Sequence, residues 1–246
     1  MYKKPSLPKQ VLIYIGMTVV ALIFMFPLIW MIVSSFKDDA MIFSDITSLK
    51  AFAPAFKEDV FFNYKEVISK LPLVKAMLNS LSYIIVIIAL GLIVNSMAGY
   101  AFGRIDFPFK NAIFVLILSV LMVPGQIFLI PQYQIIQKMG LLDTIPALFM
   151  PNLFSAFGTF LLRQFFMSLP KELEEAAIVD GCGRFRIFGQ IMLPLVKPGI
   201  VALAIFTIKF AWNDFMWPLI VNTSMEKMTL GPALSTLQGQ YTTEYP

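Results

Sequence analysis

Two charge-free apolar runs in the first half of the chain constrain its fold more than any other feature. One covers residues 11–33, and the other lies between Lys75 and Arg104. A helix needs about 20 consecutive apolar residues to cross the hydrocarbon core of a bilayer. Only 14% of the residues are charged and the mean hydropathy is +0.78, which is too apolar for a soluble domain with a polar surface. The sequence therefore predicts a membrane protein.

Three further segments are apolar enough to be interpreted as membrane spans. They are the region between Lys110 and Lys138, residues 144–162 and residues 198–221. The first span is interpreted as retained, because the apolar core of a cleaved signal peptide is much shorter. We therefore predict an all-α fold, a polytopic transmembrane helical bundle with five spans.

Basic residues predict the orientation of the chain, because lysine and arginine accumulate in the short loops on the cytoplasmic side. With a cytoplasmic N-terminus, the inner segments hold ten basic residues, and the outer segments hold eight over a greater length. This bias predicts a cytoplasmic segment at residues 1–10, a transmembrane domain at 11–222 and an external tail at 223–246. The formal net charge of +4 is explained by basic cytoplasmic loops rather than by binding to nucleic acid.

The residue types that are missing exclude most enzyme classes. The chain has no histidine, so it has no histidine base, no histidine-activated nucleophile and no histidine metal ligand. Its single cysteine, Cys182, cannot form an internal disulfide. No Gly-Lys pair occurs in the sequence, so the phosphate-binding loop of an ATPase is absent. We expect neither catalysis nor a cofactor or metal.

A segment dense in charge, alanine and glycine separates the last two predicted spans. Residues 171–194 read KELEEAAIVDGCGRFRIFGQIMLP. Strong helix formers follow Pro170, which suits the first turn of a helix. Gly181 and Gly183 are expected to end this helix, because glycine adopts the left-handed conformation that closes helices. A second short helix should follow until Pro194. This orientation makes the segment a cytoplasmic loop at about 164–197.

The first helix of this loop presents side chains that suit contact with another protein. Ala176 and Ala177 are expected to leave one face small enough for close approach, with Leu173 as an apolar contact one turn earlier. Glu172 and Glu175, three residues apart, share another side and could pair with a basic residue of a partner.

The second helix of the loop carries an apolar stripe at helical spacing, formed by Phe185, Phe188 and Met192. We expect this stripe to pack under the membrane spans. The alternative is that the whole segment is an amphipathic surface helix that lies in the lipid head groups.

The loop resembles the cytoplasmic signature of the membrane permeases of binding-protein-dependent ABC importers. That signature is Glu-Ala-Ala, three residues, Gly, nine residues, Ile, one residue and Leu-Pro. Every defined position is matched here, by Glu175, Ala176, Ala177, Gly181, Ile191, Leu193 and Pro194. The segments MVPGQIFLIPQYQIIQKMGLLDT and AWNDFMWPLIV are also similar to the carbohydrate branch, in particular to the smaller maltose-type permease subunit. The resemblance covers most of residues 10–246.

The resemblance implies a type I ABC importer permease in a bacterial inner or plasma membrane, with surrounding lipid. It implies three kinds of protein partner: a second permease subunit, two copies of a cytoplasmic ABC ATPase, and an external solute-binding protein. In such systems the loop docks on the ATPase, and its glutamate, here Glu175, meets a basic residue. The implied ATPase-coupling residues are Glu172, Glu175, Ala176, Ala177, Asp180, Gly181, Ile191, Leu193 and Pro194.

The fifth predicted span holds polar residues that suggest a substrate pathway. A charge near the middle of a bilayer costs at least about 2.5–3.5 kcal/mol, so it must face the interior, water or a partner. Amides, carboxylates and aromatic rings are common in sugar sites. The candidate pathway residues are Lys209, Trp212, Asn213 and Asp214 of this span, together with Gln126 of the third span. The alternative role is contact between paired permeases.

Other functions are weighed against carbohydrate import. One is import of a non-sugar solute by the same kind of permease. Another is an ion-driven secondary transporter with Lys209 and Asp214 as the coupling pair, for which inverted repeats would be expected and none are seen. A third is a membrane anchor without transport. Permeases of the resembled family usually have six spans, so we expect that the chain ends before a sixth.

Overall fold

The computed structural model describes residues 6–37, 42 and 60–237, which form helices, turns and connecting segments with no strand. The all-α prediction is confirmed. Two compact units are distinguished, Met1–Leu71 with Leu237–Pro246, and Pro72–Thr236. Residues 1–5 of the predicted cytoplasmic segment and 238–246 of the predicted external tail lie outside the described residues.

The first unit contains α1 (Leu7–Ser34) and α2 (Phe62–Lys70). The 28 residues of α1 are long and apolar enough to cross a membrane. The side-chain amide of Asn63 donates hydrogen bonds to the backbone carbonyls of Ser35, at 3.0 Å, and Lys37, at 2.9 Å. The start of α2 is thereby joined to the segment that directly follows α1.

The second unit begins with α3 (Leu73–Arg104), a helix of 32 residues that is a second candidate span. Next come α4 (Lys110–Ser119), two 3₁₀ turns (Val120–Met122 and Gly125–Phe128) and α5 (Leu129–Lys138). They are followed by α6 (Ile145–Phe149), a 3₁₀ turn (Met150–Asn152) and α7 (Ala156–Met167).

The charged loop forms α8 (Glu172–Val179), α9 (Arg184–Arg186), a π-helical segment (Ile187–Met192) and α10 (Leu193–Leu195). The remaining described helices are α11 (Lys197–Asn213), α12 (Met216–Val221) and α13 (Leu230–Ser235).

Three pairs of consecutive helical segments are sharply bent at a short break, and the first half of the third pair belongs to the charged loop. The two halves of Lys110–Met122 and Gly125–Lys138 meet at 101°, those of Ile145–Asn152 and Ala156–Met167 at 53°, and those of Arg184–Leu195 and Lys197–Asn213 at 78°. The described part of the chain thus has two continuous candidate spans, or up to five if each bent pair is one span.

The first of these breaks has a local cause. Pro124 lacks an amide hydrogen and disfavours the helical region for the preceding residue, and Val123 is extended there (φ −93°, ψ 127°). In the region expected as a single span at 198–221, α11 ends at Asn213 because Asp214 is also non-helical (φ −70°, ψ 112°). The segment predicted as the fifth span is therefore divided into α11 and α12.

The centre of the second unit is α3, which packs most extensively on α7 and also on α11. Gly99 permits this close packing, because a Cβ atom at that position would lie 2.8 Å from the Cβ atom of Leu162. One buried apolar cluster surrounds Tyr83 and Trp217. A second cluster surrounds Tyr100 and Phe166 and includes buried residues of the charged loop.

Two acidic residues outside the spans secure the segment after α12. The carboxylate of Asp143 accepts a hydrogen bond from the backbone amide of Ser224 at 2.9 Å, which lowers the pKa of Asp143. Glu226 accepts a hydrogen bond from Lys75 at 2.7 Å, and this contact lowers the pKa of Glu226. The segment is thereby held against the start of both α3 and α6.

Candidate functional site

The turn after α8 has the geometry of a Schellman motif. The backbone amide of Cys182 donates to the carbonyl of Ala177 at 2.9 Å, and the backbone amide of Gly181 donates to the carbonyl of Ile178 at 3.0 Å. These are the two hydrogen bonds that define the motif. Gly181 has φ +78°, as the sequence predicts. Gly183, however, is extended (φ −72°, ψ 158°) and precedes α9, so the expectation that it also closes the helix is wrong.

The helix itself begins slightly later than expected. Pro170 lies before α8, and Lys171 is the N-cap residue. The carbonyl of Lys171 accepts hydrogen bonds from the amides of Glu174, at 3.0 Å, and Glu175, at 3.1 Å. The three glutamates of the first turn lie at the end of the helix that favours negative charge.

The two alanines of the signature lie on different sides of α8. Ala177 is 4% exposed and belongs to the cluster around Tyr100, whereas Ala176 is exposed. The expectation that both form one outward face is therefore wrong, because consecutive residues of a helix are rotated by about 100°. Ala177 seats the helix on the bundle, and only Ala176 is open to a partner.

The open side of the first helix combines acidic and apolar side chains. Six of the predicted coupling residues are exposed: Glu172, Glu175, Ala176, Asp180, Gly181 and Pro194. Two others, Ile191 and Leu193, are half-buried. Val179 is 85% exposed and Ile178 is 53% exposed. This surface, formed by Glu172, Glu175, Ala176, Ile178, Val179 and Asp180, is called the outer face of α8 below.

The apolar stripe of the second helix is only partly confirmed. Met192 is fully buried, and the ring of Phe188 lies 5.2 Å from that of Tyr100 and 6.3 Å from that of Phe166. Phe185 is 82% exposed, so its predicted packing under the spans is wrong. The π-helical turn starts directly after α9 and replaces the spacing of 3.6 residues on which the stripe was based.

Sequence reasoning missed Glu174, which is the acidic residue of α8 that faces inward. Its carboxylate lies 2.7 Å from Nε of Arg104 and accepts a hydrogen bond from the Tyr100 hydroxyl at 2.8 Å. The Arg104 and Glu174 side chains are 4% and 13% exposed. No sequence signal distinguished Glu174 from its neighbours Glu172 and Glu175.

The structure places three of the five candidate pathway residues in one cleft and a fourth, Trp212, in a smaller cleft that shares Asp214. Lys209, Asn213 and Asp214 line an open cleft of about 650 Å³ that also contains the rings of Phe206 and Phe210. Trp212 and Asp214 line a smaller cleft of about 190 Å³. Gln126 is exposed in the 3₁₀ turn before α5 and is absent from the described lining of both clefts.

Hydrogen bonds in this region order the break between α11 and α12. The Tyr83 hydroxyl donates to Oδ2 of Asp214 at 3.2 Å, and the side-chain amide of Asn213 donates to the backbone carbonyl of Lys209 at 2.7 Å. No ion pair between Lys209 and Asp214 occurs among the described residues. The lining of the larger cleft, all of it from residues 206–216, combines a cation, a carboxylate, an amide and aromatic rings, and this combination is suited to a polar solute.

A further cleft of about 370 Å³ was not predicted. It is lined by Asn95, Asn152, Ser155 and Thr207 together with phenylalanine rings. No group of His, Cys, Asp or Glu suited to a metal ion occurs among the described residues.

The fold and the site define a class of protein, a helical membrane protein with several spans and a charged helix-turn-helix loop between them. The chain belongs to the family of inner membrane components of binding-protein-dependent transport systems, whose model matches residues 95–243. Members of this family are transport proteins rather than enzymes, and the chain is accordingly a plasma-membrane transport protein.

Known relatives support this assignment. The arabinooligosaccharides transport system permease protein AraQ of Halalkalibacterium halodurans is 35% identical over 246 residues, which is 100% of this chain and 87% of that protein. The diacetylchitobiose uptake system permease protein NgcG of Streptomyces coelicolor is 34% identical, over 83% of this chain and 66% of that protein. The sn-glycerol-3-phosphate transport system permease protein UgpE of Yersinia pestis is 37% identical, over 61% of this chain and 52% of that protein.

A solved structure has the same fold. It is the crystal structure of a bacterial ABC transporter involved in the import of the acidic polysaccharide alginate. The match has a TM-score of 0.79 and 20% sequence identity, and covers 98% of this chain and 84% of that chain. The predicted permease fold is thereby confirmed.

Proposed function

We propose that the chain is a permease subunit of an ATP-driven carbohydrate importer. Two of the relatives are named for arabinooligosaccharides and diacetylchitobiose, which are both carbohydrates. The chain contributes to the translocation pathway, while a separate ABC ATPase hydrolyses ATP. A second permease subunit, two copies of the ATPase and an external solute-binding protein complete the transporter.

The observation that carries this proposal is the construction of the outer face of α8. One side of the helix is seated on the bundle through Ala177 and Glu174. The opposite side leaves Ala176, Glu175 and Val179 exposed. A rigidly seated helix with a small, acidic and apolar outer face is suited to docking in a groove of the ATPase, where Glu175 pairs with a basic residue.

The other coupling residues have supporting roles in this proposal. Gly181 closes the docking helix, and Glu172 and Asp180 extend its acidic face. Ile191, Leu193 and Pro194 continue the loop into the turn that leads to α11. Because the ATPase is cytoplasmic, the loop and the N-terminus are both assigned to the cytoplasmic side.

We assign Lys209, Trp212, Asn213 and Asp214 to the substrate pathway. The phenyl rings beside the polar groups of the larger cleft provide surfaces on which sugar rings can stack. The assignment does not extend to Gln126, because it lines neither cleft.

A second candidate is a non-sugar anionic solute. It is favoured by the ammonium group of Lys209 in the larger cleft and by the relative named for sn-glycerol-3-phosphate. Replacement Lys209→Gln distinguishes the two, because it should abolish import of an anion and leave import of a neutral oligosaccharide within about threefold.

The docking role is tested by capture of the ATPase from detergent-solubilised membranes. Ala176→Leu adds bulk on the exposed side of α8, and Glu175→Ala removes the proposed partner of a basic residue. We expect both variants to insert normally and to retain less than a tenth of the ATPase. Ala112→Leu, at an exposed position of α4, is the matched control. Undiminished capture by both α8 variants would contradict the proposal.

A further inference from the structure

We propose that Arg104 and Glu174 form a tie that transmits movement of the docking helix to the membrane-spanning helix α3. Glu174 is then a positioning residue of the loop and Arg104 is its anchor. This inference rests on the proposed function, because transmission requires an ATPase that moves α8. It assigns a role to two residues that lie outside the resemblance motif.

The geometry places one guanidinium at the junction of three elements. Nε of Arg104 lies 2.7 Å from the carboxylate of Glu174 in α8. Its Nη1 and Nη2 donate to the carbonyls of Leu169 and Pro170, each at 3.0 Å. These carbonyls belong to the link between α7 and α8. The last residue of α3 therefore holds both the docking helix and the chain that leads into it.

Tyr100, one turn before Arg104 on the same face of α3, connects the second half of the loop. Its hydroxyl donates to Oε1 of Glu174 at 2.8 Å, while its ring lies 5.2 Å from that of Phe188 in the π-helical segment. Both helices of the loop thus converge on the last turn of α3. A displacement of either one is passed to the same place.

Burial makes this tie specific. The Arg104 and Glu174 side chains are almost fully enclosed, and removal of one partner from a buried ion pair leaves an uncompensated charge. The exposed glutamates of α8, Glu172 and Glu175, can change partners in water at little cost. The Arg104–Glu174 pair therefore connects α8 to the bundle, whereas the outer face of α8 remains available to contact the ATPase.

The sequence offers a matched control at the same end of α3. Asp106 and Lys110 form an ion pair at 3.3 Å, in which the Asp106 side chain is fully exposed. Such pairs contribute little. Asp106→Asn therefore removes a carboxylate near Arg104 without touching the tie.

The experiment uses the complete importer in proteoliposomes and needs no knowledge of the solute. Cys182 is replaced by Ser, and a cysteine is introduced by Met216→Cys, at a position that is 52% exposed and lines the larger cleft. The rate of its labelling by a membrane-impermeant maleimide is measured with and without ATP plus vanadate. Capture of the ATPase and ATP hydrolysis are measured in the same samples.

We expect ATP plus vanadate to change the labelling rate at least fivefold in the otherwise unaltered chain and in Asp106→Asn. In Glu174→Gln and Arg104→Gln the change should fall below twofold, while the ATPase remains bound and hydrolyses ATP. That combination distinguishes transmission from docking, since a docking defect would release the ATPase.

Two results would overturn the inference while the proposed function stands. One is an unaltered response in Glu174→Gln and Arg104→Gln. The other is loss of insertion or of ATPase capture in both, because the pair would then act in folding or docking. If the unaltered chain neither captures the ATPase nor responds to ATP, the proposed function fails, and the inference fails with it.

Discussion

At the scale of single residues, Gly181 and Gly183 allow a controlled test of backbone conformation. Neither position has a described atom within 4 Å of the place where a Cβ would lie, but φ is +78° at Gly181 and −72° at Gly183. A left-handed alanine costs roughly 1–2 kcal/mol. We therefore predict that Gly181→Ala loosens the end of α8 and reduces ATP-driven transport at least threefold.

Gly183→Ala is the matched control, because an extended alanine carries no such strain. Amide hydrogen exchange of Cys182, which is bonded to Ala177, provides a direct readout of the turn. Exchange should accelerate in Gly181→Ala and stay unchanged in Gly183→Ala. Equal exchange rates in the two variants would contradict the role of the left-handed turn.

The sequence could predict the turn at Gly181, since glycine is strongly favoured where a helix closes. It could not predict that Glu174 faces inward while its neighbours face outward. Three glutamates occupy four positions, and which of them is buried depends on Arg104, which lies 70 residues earlier in the chain. The same limit applies to Ala176 and Ala177, whose orientation is set by the bundle.

At the scale of helices, Asn95 of α3 holds the break between α6 and α7 in place. Its side-chain nitrogen donates to the backbone carbonyl of Leu153 at 2.9 Å, and its side-chain oxygen accepts from the backbone amide of Ser155 at 2.8 Å. Each buried group left without a partner costs about 1–3 kcal/mol. We predict that Asn95→Leu lowers the thermal unfolding temperature of the detergent-purified protein by several degrees.

Ser119→Ala is the control for Asn95→Leu. Ser119 is an exposed residue at the end of α4, and its hydroxyl donates to a carbonyl of its own helix, that of Leu116. Its replacement should leave the unfolding temperature within about one degree. If Asn95→Leu were equally harmless, the proposed bracing of the break would be wrong.

Hydropathy located the apolar segments of the spans but not their breaks. Several prolines occur within these segments, and membrane helices tolerate proline when neighbouring groups satisfy the freed backbone. Pro27 lies inside the continuous helix α1, whereas Pro124 accompanies a break. The difference depends on packing that a single sequence does not display. The break at Asp214 involves no proline at that position, so its sequence signal was weaker still.

At the scale of the whole molecule, the charge bias predicts which side of the membrane each loop occupies. In a chain with Cys182→Ser, a cysteine at the highly exposed Phe185 of the charged loop should react with an impermeant maleimide only after the cells are opened. A cysteine at Met225, which is 41% exposed beyond α12, should react in intact cells. The reverse pattern would place the charged loop outside and exclude contact with a cytoplasmic ATPase.

The sequence predicted the helical architecture more completely than it predicted which residues line the clefts. The apolar segments reflect burial in the bilayer, and the spacing of the signature reflects contact with one partner protein. Both are local patterns in the sequence, so together they identify a family. The larger cleft is lined by residues of α11 and of the break after it, which include Lys209, Asn213 and Asp214 but not Gln126. Phe185 could not be recognised as exposed before the π-helical turn was known.

ATP-dependent uptake into proteoliposomes tests the central claim most directly. The chain is reconstituted with its second permease, ATPase and solute-binding protein, and radiolabelled oligosaccharides including arabinotriose and diacetylchitobiose are supplied. We predict that at least one accumulates only with ATP, and that Glu175→Ala reduces its uptake at least tenfold. Accumulation driven by an ion gradient without ATP, or no uptake of any oligosaccharide, would contradict the assignment as an ATP-driven carbohydrate permease.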